Sequence, residues 1–157
     1  MPDPLKTGAA LNPALVDLQP LIGRWAVKIT WSEQTHKLVG GPSSVQAPAS
    51  FERFKDGGFL VHTIGGDGAP LAHWMIGRDE TSGAFAVLYS DSRGVSRTYE
   101  MSLAGNVWKI WRNAPGFHQR FTGRISPDQR SIEACWEKSA NGTTWETDFD
   151  LNYTKTE

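Results

Sequence analysis

From Trp25 to Tyr153 this chain keeps a beat of two. Trp25, Val27, Ile29 and Trp31 alternate with Arg24, Lys28 and Thr30; Trp145, Thr147, Phe149, Leu151 and Tyr153 alternate with Glu146, Asp148 and Asp150. Neighbouring side chains on a strand point to opposite faces, so such runs mark strands with one dry face and one wet one. The spacing predicts strands over approximately 24–32, 45–54, 59–65, 70–78, 84–90, 95–104, 107–113, 117–125, 131–139 and 144–154. Joined by short turns, they make an all-β protein of about ten strands, whose antiparallel meander closes into an up-and-down barrel. Ahead of them, Asn12 and Pro13 read as the cap and first turn of a short N-terminal helix. Leu15, Leu18 and Ile22 lie along one face of it, and it ends at Gly23. Residues 1–11 read as a flexible leader and residues 12–157 as a single β-barrel domain.

Turn chemistry sets the register, and the register decides which face is dry. Asp67-Gly68 and Asn141-Gly142 predict two-residue hairpins, Gly105-Asn106 another, and Ser92-Arg93-Gly94 a three-residue loop ending in a left-handed glycine. The loop near Pro127 sets Arg124 opposite Glu133 and Arg120 opposite Glu137, so opposite charges meet on that face and make it the exterior. Asn141-Gly142 then pairs Trp136 with Thr147 and Ala134 with Phe149. The interior of this half carries Phe117, Gln119, Phe121, Ile125, Ile132, Trp136, Phe149 and Leu151. Gly105-Asn106 pairs Leu103 with Trp108, Met101 with Ile110 and Tyr99 with Arg112. The Gly94 loop sets Tyr89 opposite Arg97, and Asp67-Gly68 sets His62 opposite His73. The first connection, Glu33 to Ser44, is long and holds Gly40-Gly41-Pro42, so it is expected to form a flap.

Counted this way, the two ends of the barrel differ. His62, His73, Tyr89, Arg97, Tyr99, Arg112 and Gln119 face inward near the end that carries the long connection. At the other end the inward residues are Leu60, Met75, Phe85, Leu103, Trp108, Ile125 and Trp25. A polar, gated end and a greasy, closed one are the shape of a small-molecule pocket.

Charge and composition exclude several alternatives. Sixteen basic and 17 acidic residues give a net charge of −1, evenly spread, so no basic stripe is offered to nucleic acid and no charged tail to a membrane. Met1 to Leu11 lacks the basic start and apolar core of a secretion signal, so a cytoplasmic location is expected. Asn141-Gly142-Thr143 accordingly reads as a turn rather than a glycosylation site. The single Cys135 allows no internal disulfide and points outward on the alternation. His62 and His73 lack a third ligand, so no metal is expected, and no nucleophile elbow, phosphate loop or carboxylate pair is present.

Gly23-Arg24-Trp25, on the first strand just after a short helix, resembles the Gly-x-Trp signature of lipocalin-like (calycin) barrels, in which the Trp plugs the closed end. The likeness extends through Leu21-Ile22-Gly23, Gly77-Arg78-Asp79 with Ser82-Gly83, and Ser90-Asp91-Ser92-Arg93-Gly94. It continues with Trp136-Glu137-Lys138-Ser139, leading to Asn141-Gly142 and Trp145. Together these resemble a bacterial family of unknown function with a calycin-like barrel, over residues 13–154. That resemblance implies ten antiparallel strands and an internal cavity. A more distant similarity is to the nitrobindin barrel, which also begins with Gly-x-Trp and implies a haem held by a His close to the C-terminus. Here no His follows His118, and Ala26-Val27-Lys28 replace the glycines expected after the Trp.

The expectation is therefore a binder of a small, mostly apolar molecule with a polar or anionic head. Trp25, Leu103, Trp108 and Phe149 are expected to line the greasy end; Arg97, Arg112, Tyr89, Tyr99 and His73 to orient the head; and Trp31, His62, Gln119 and Trp136 to complete the wall. A guanidinium inside a barrel is costly unless paired, so Arg97 and Arg112 point to a carboxylate or another oxyanion. The alternative is an isomerase, cyclase or lyase in the same pocket. There His62 or His73 moves a proton while Tyr99 and Arg112 stabilise an oxyanion. A nitrobindin-like haem protein ranks third, and no other cofactor is expected. The partner is a small-molecule ligand, with a homodimer left open.

Overall fold

The computed structural model describes residues 12–55, 57–66 and 71–157, and in it ten antiparallel strands close one barrel. They are β1 (Gly23–Trp31), β2 (Ser44–Phe54), β3 (Phe59–Ile64), β4 (Ala72–Arg78), β5 (Phe85–Asp91), β6 (Ser96–Ala104), β7 (Val107–Arg112), β8 (His118–Ile125), β9 (Ser131–Ser139) and β10 (Glu146–Lys155). Each strand pairs with its neighbours in the chain and β10 returns to pair with β1, so no strand edge is left open. The boundaries follow the alternation closely. The expected leader, 1–11, and the Asp67-Gly68 turn lie outside the described residues.

The end of the barrel at the start of β1 is sealed by a 3-10 helix, Pro13–Leu21, in place of the expected α-helix. Pro20 has no N–H to give to an α-helical ladder, and a three-residue turn sets Leu15, Leu18 and Leu21 in one row. All three are at most 1% exposed. Leu21, not Ile22, thus completes the buried row. Asn12 caps the helix as expected, its Oδ1 accepting from the Ala14 N–H at 3.0 Å. Trp25 stands above the helix, and its Nε1 donates to the Leu21 carbonyl at 2.9 Å. From the side, Arg78 donates to the Ala14 carbonyl at 3.0 Å and to Asp17 at 3.3 Å.

At the opposite end the first connection is not a loose flap but a helix, α1 (Glu33–Val39). The Ser32 hydroxyl accepts from the Thr35 N–H at 3.2 Å, Glu33 sits in the first turn, Lys37 in the last, and Gly40 ends it at φ 74°. Each suits its place on a helix. Thr35 ties α1 to the rim. It is 6% exposed, donates to Asp148 Oδ1 at 2.8 Å and accepts from Lys138 Nζ at 3.1 Å. Lys138 and Asp148 also pair directly at 3.5 Å. Thr35→Val removes both hydroxyl bonds but leaves that ion pair, so a loss of about 1 kcal/mol is expected in urea denaturation. Faster amide exchange should appear at His36 and Gly40, which donate to the Ser32 and His36 carbonyls.

Two turns differ from expectation, and both matter for the site. His62 lies opposite Trp74, and His73 opposite Thr63. This pairing is displaced by one residue from that of a two-residue Asp67-Gly68 turn, and a displacement of one turns every side chain of the strand over. Trp74 and Ile76 therefore face inward, while His73 and Met75 face out. After Ser139 the turn is wider than two residues, because Asn141 Oδ1 accepts from the N–H groups of both Thr143 and Thr144, at 2.9 and 2.8 Å. Trp136 consequently meets Phe149 rather than Thr147, and Ala134 meets Leu151. A bulge between Thr147 and Phe149 restores the expected faces and brings Asp148 to Lys138 and Thr35.

Elsewhere the expected registers hold. Gly105 and Asn106, at φ 58° and 64°, make the turn that pairs Leu103 with Trp108 and Met101 with Ile110. Tyr89 lies opposite Arg97, Arg124 opposite Glu133, and Arg120 opposite Glu137 with a 2.9 Å ion pair. Phe117, expected inside, is 36% exposed at the rim, and Trp145 packs outside, 4.1 Å from the Arg120 guanidinium. Cys135 lies between Thr122 and Asp150, and partial burial pushes its thiol up to about 11, so it stays protonated.

Candidate ligand-binding site

Successive pairings set Phe51, His62, Trp74, Tyr89 and Arg97 side by side across β2 to β6. This produces a row of rings. Phe51 stacks on His62 at 3.9 Å, His62 on Trp74 at 4.7 Å, and Trp74 meets Tyr89 at 4.8 Å. The row continues through Tyr99 to Trp136 at 5.5 Å, then Phe121 and Trp108, and returns to Phe51 at 5.6 Å. Aromatic side chains thus ring the whole lumen.

Exposure divides that lumen into two levels. Trp25, Phe51, Leu60, Ile76 and Trp108 are at most 2% exposed and form solid core. Trp25 and Trp108, expected to line a chamber, instead fill it, and Leu103 is only partly buried beside them. Higher up, Trp31, Trp74, Tyr89, Arg97, Arg112 and Phe149 point inward and yet keep part of their surface in water. These partly exposed side chains gather toward the end of the barrel that carries α1. Ala47, opposite Val27, and Ala72, opposite Ile64, are short side chains in β2 and β4.

His62 is locked in the buried part of the lumen. A carbonyl can only accept, so Nδ1 carries the proton and donates to the Ser50 oxygen at 3.0 Å, while Nε2 accepts from the Tyr153 hydroxyl at 3.2 Å. Burial lowers its pKa from 6.5 to about 3, outweighing the Ser50 bond. The ring is neutral at ordinary pH. His73 is elsewhere, on the outer wall with Nδ1 3.1 Å from the Thr63 hydroxyl. The expected His62–His73 pair does not form.

The other expected residues gather at the mouth. Arg97 lies 5.1 Å over the Phe117 ring and Arg112 5.9 Å over that of Tyr99. Neither has a carboxylate partner among the described residues. Tyr99 donates to Gln119 Oε1 at 2.8 Å, and Gln119 is 6% exposed. Burial raises the Tyr99 phenol while Arg97 and Arg112 beside it pull it down; burial wins. Tyr89 donates to Asp91 at 2.6 Å, and Arg93 holds the same carboxylate at 2.7 Å. Arg93 keeps Asp91 well below the usual carboxylate range, and burial with the Asp91 charge raises the Tyr89 phenol. Trp31 meets Phe149 edge-on at 5.1 Å, and Trp136 is 5% exposed between Tyr99 and Phe121.

Trp74 is the principal residue that sequence reasoning missed, because the displaced register hid it behind His73. Tyr153 and Phe51 carried a signal, each lying in step with its strand's inward residues. The outer wall of β1 and β2 has grooves of about 610 Å³, over Ala26, Gln46, Pro48 and Ser50, and about 300 Å³, beside Gly23, Arg53 and Glu157. Neither groove reaches Arg97 or Arg112.

A closed ten-stranded antiparallel barrel with a capped end is consistent with the calycin-like class. The crystal structure of Rv2717c from M. tuberculosis has a similar fold, with a TM-score of 0.65 over 94% of this chain and 100% of that one, at 16% identity. No family model matches the sequence, and no curated protein matches it either. Among the described residues no helix is long and apolar enough to cross a membrane.

The residues present do not fit the His-held haem that the nitrobindin likeness implies. On β10 the buried Tyr153 hydroxyl is committed to His62, and both nitrogens of His62 are engaged. His36 is on α1 with Nε2 2.7 Å from the Gly41 oxygen, His73 is outside, and His118 sits against Gly142 at the rim. Among the described residues no three His, Cys, Asp or Glu side chains are grouped to hold a metal ion.

Proposed function

We propose that this protein binds a small, mostly apolar molecule with an anionic head, seated in the recess beneath α1 with its head against Arg97 and Arg112. One observation carries the reading. Two guanidiniums lie over aromatic rings at the mouth of the lumen, and neither has a carboxylate partner among the described residues. Cations held in part from water favour an anionic partner, and a guanidinium fork suits a carboxylate or sulfonate. The filled lower lumen makes the ligand shorter than the barrel. The single Cys135 fits a cytoplasmic setting.

Binding is favoured over acid–base turnover by the histidines. His62 is neutral and bonded at both nitrogens, and His73 is on the outer wall, so the recess has no imidazole to move a proton. The anionic fluorophore 1-anilinonaphthalene-8-sulfonate is expected to bind with saturation at one site. Replacing Arg97 and Arg112 together with Gln should weaken it by roughly 10- to 100-fold, the loss of charge-assisted hydrogen bonds. The urea midpoint should hardly move. Saturable binding that ignores both arginines, or no saturable binding, overturns the proposal.

A further inference from the structure

Among the described residues, the buried inward side-chain polar groups without a partner share one chemistry: they are donors. Trp108 Nε1 is buried with no hydrogen-bond partner, in a side chain 1% exposed, and Trp74 Nε1 is buried and unpartnered in the same way. Both rings lie against His62, at 6.2 and 4.7 Å, Trp108 within the solid lower core and Trp74 at its partly exposed upper edge. With its oxygen taken by Tyr99, Gln119 offers its amide N–H groups, and Arg97 and Arg112, both hydrogen-bonded to Tyr99, have further N–H groups to offer. The inward acceptors, by contrast, are taken: His62 Nε2 by Tyr153, and Asp148 by Thr35 and Lys138. Asp91 at the rim is held by Tyr89 and Arg93. An amine head would meet two guanidiniums at the mouth and no carboxylate that lacks a partner there among the described residues. An oxyanion meets donors from several sides.

The walls specify the rest of the molecule. Trp31, Trp74, Tyr89 and Phe149 are partly exposed rings standing at varied tilts, and Ala47 and Ala72 are short side chains on β2 and β4. Rings hold a flat π-system by offset stacking and edge contacts, whereas a flexible chain gains no such directional term and loses its rotamer freedom on entering. Resting on the ligand-binding reading above, we infer that the ligand is a planar aromatic acid. Its ring lies among Trp74, Tyr89, Trp31 and Phe149, and its carboxylate lies in the paired forks of Arg97 and Arg112.

Two acids of similar size separate this inference from the reading beneath it. 2-Naphthoate and decanoate are titrated into the full chain, followed by tryptophan fluorescence and calorimetry, with 2-naphthylmethylammonium as the cationic counterpart. 2-Naphthoate should bind at least ten-fold more tightly than decanoate, lose at least ten-fold in affinity in the Arg97→Gln/Arg112→Gln double variant, and outcompete the ammonium ion entirely. Trp74→Leu should weaken 2-naphthoate several-fold and decanoate by clearly less. Decanoate binding as tightly as 2-naphthoate, with both dependent on the arginines, overturns the aromatic inference and leaves the proposed function standing. Failure of both acids overturns both. Tight 2-naphthoate binding indifferent to the arginine pair puts the ring elsewhere and also overturns the inference.

Discussion

Trp108→Ala is expected to cost this protein about 3–5 kcal/mol, the range for truncating a fully buried large aromatic side chain. Its indole is 1% exposed and meets Phe121 at 4.6 Å, Phe51 at 5.6 Å, Tyr153 at 6.1 Å and His62 at 6.2 Å. Those neighbours belong to four other strands of a closed barrel, which cannot collapse inward to fill the hole. Typical domains are stable by only about 5–15 kcal/mol, so a large part of the total is at stake. Trp108→Phe should cost less than half as much, because Nε1 has no protein partner to lose. Trp31→Ala, on a partly exposed ring at the mouth, should cost about 1 kcal/mol or less. Urea denaturation of the three variants provides the check. A Trp108→Ala loss no larger than that of Trp31→Ala means the lower lumen is not solid, and a ligand could then reach the floor.

The second large effect is a dependence on pH that belongs to His62. An unfolded histidine takes up a proton as pH falls through about 6.5, whereas the folded one resists until about pH 3 because burial disfavours the charged ring. The unfolded state then binds more protons than the folded state. Stability is therefore full above pH 6.5 and is lost as pH falls toward 3, at up to about 1.4 kcal/mol per pH unit. His62→Phe preserves a flat ring between Phe51 and Trp74 but leaves the Ser50 carbonyl and Tyr153 hydroxyl without their partner. It should be less stable than the parent at pH 7 by about 1–3 kcal/mol. On acidification the two stabilities should converge and then cross. Carboxylates such as Asp91 titrate in both proteins and cancel in the difference. Parallel losses from pH 7 to 4 would refute a neutral, locked His62.

Much of this fold is legible in the chain because alternation and turn chemistry are local. Gly105-Asn106 permits positive φ at both positions, so the Tyr99–Arg112 corner can be placed from sequence. Cross-strand charge at Arg120 and Glu137 shows which wall is wet. Where the site was misread, the cause was loop length. One residue of displacement between β3 and β4 exchanged Trp74 for His73, and with it an aromatic wall for an apparent histidine pair. The shift of two after Ser139 did no such harm, since two residues preserve the face. The helix α1 was legible too: Ser32, Glu33, Lys37 and Gly40 are ordinary cap and dipole residues, overshadowed by the Gly40-Gly41-Pro42 run. Filling of the lower lumen was not legible. Ring size can be counted from sequence, but how the rings share a cylinder is settled only by their mutual tilt.

Closure of β10 onto β1 has a consequence during synthesis. The first strand to leave the ribosome waits for its partner until the tenth has emerged, and meanwhile the growing sheet keeps two unzipped borders that another nascent copy can seize. A premature stop before Glu146 makes that vulnerable interval permanent. Such a fragment should be recovered as aggregate or chaperone-bound, while the full-length chain, once zipped, offers neighbouring copies no seam to invade.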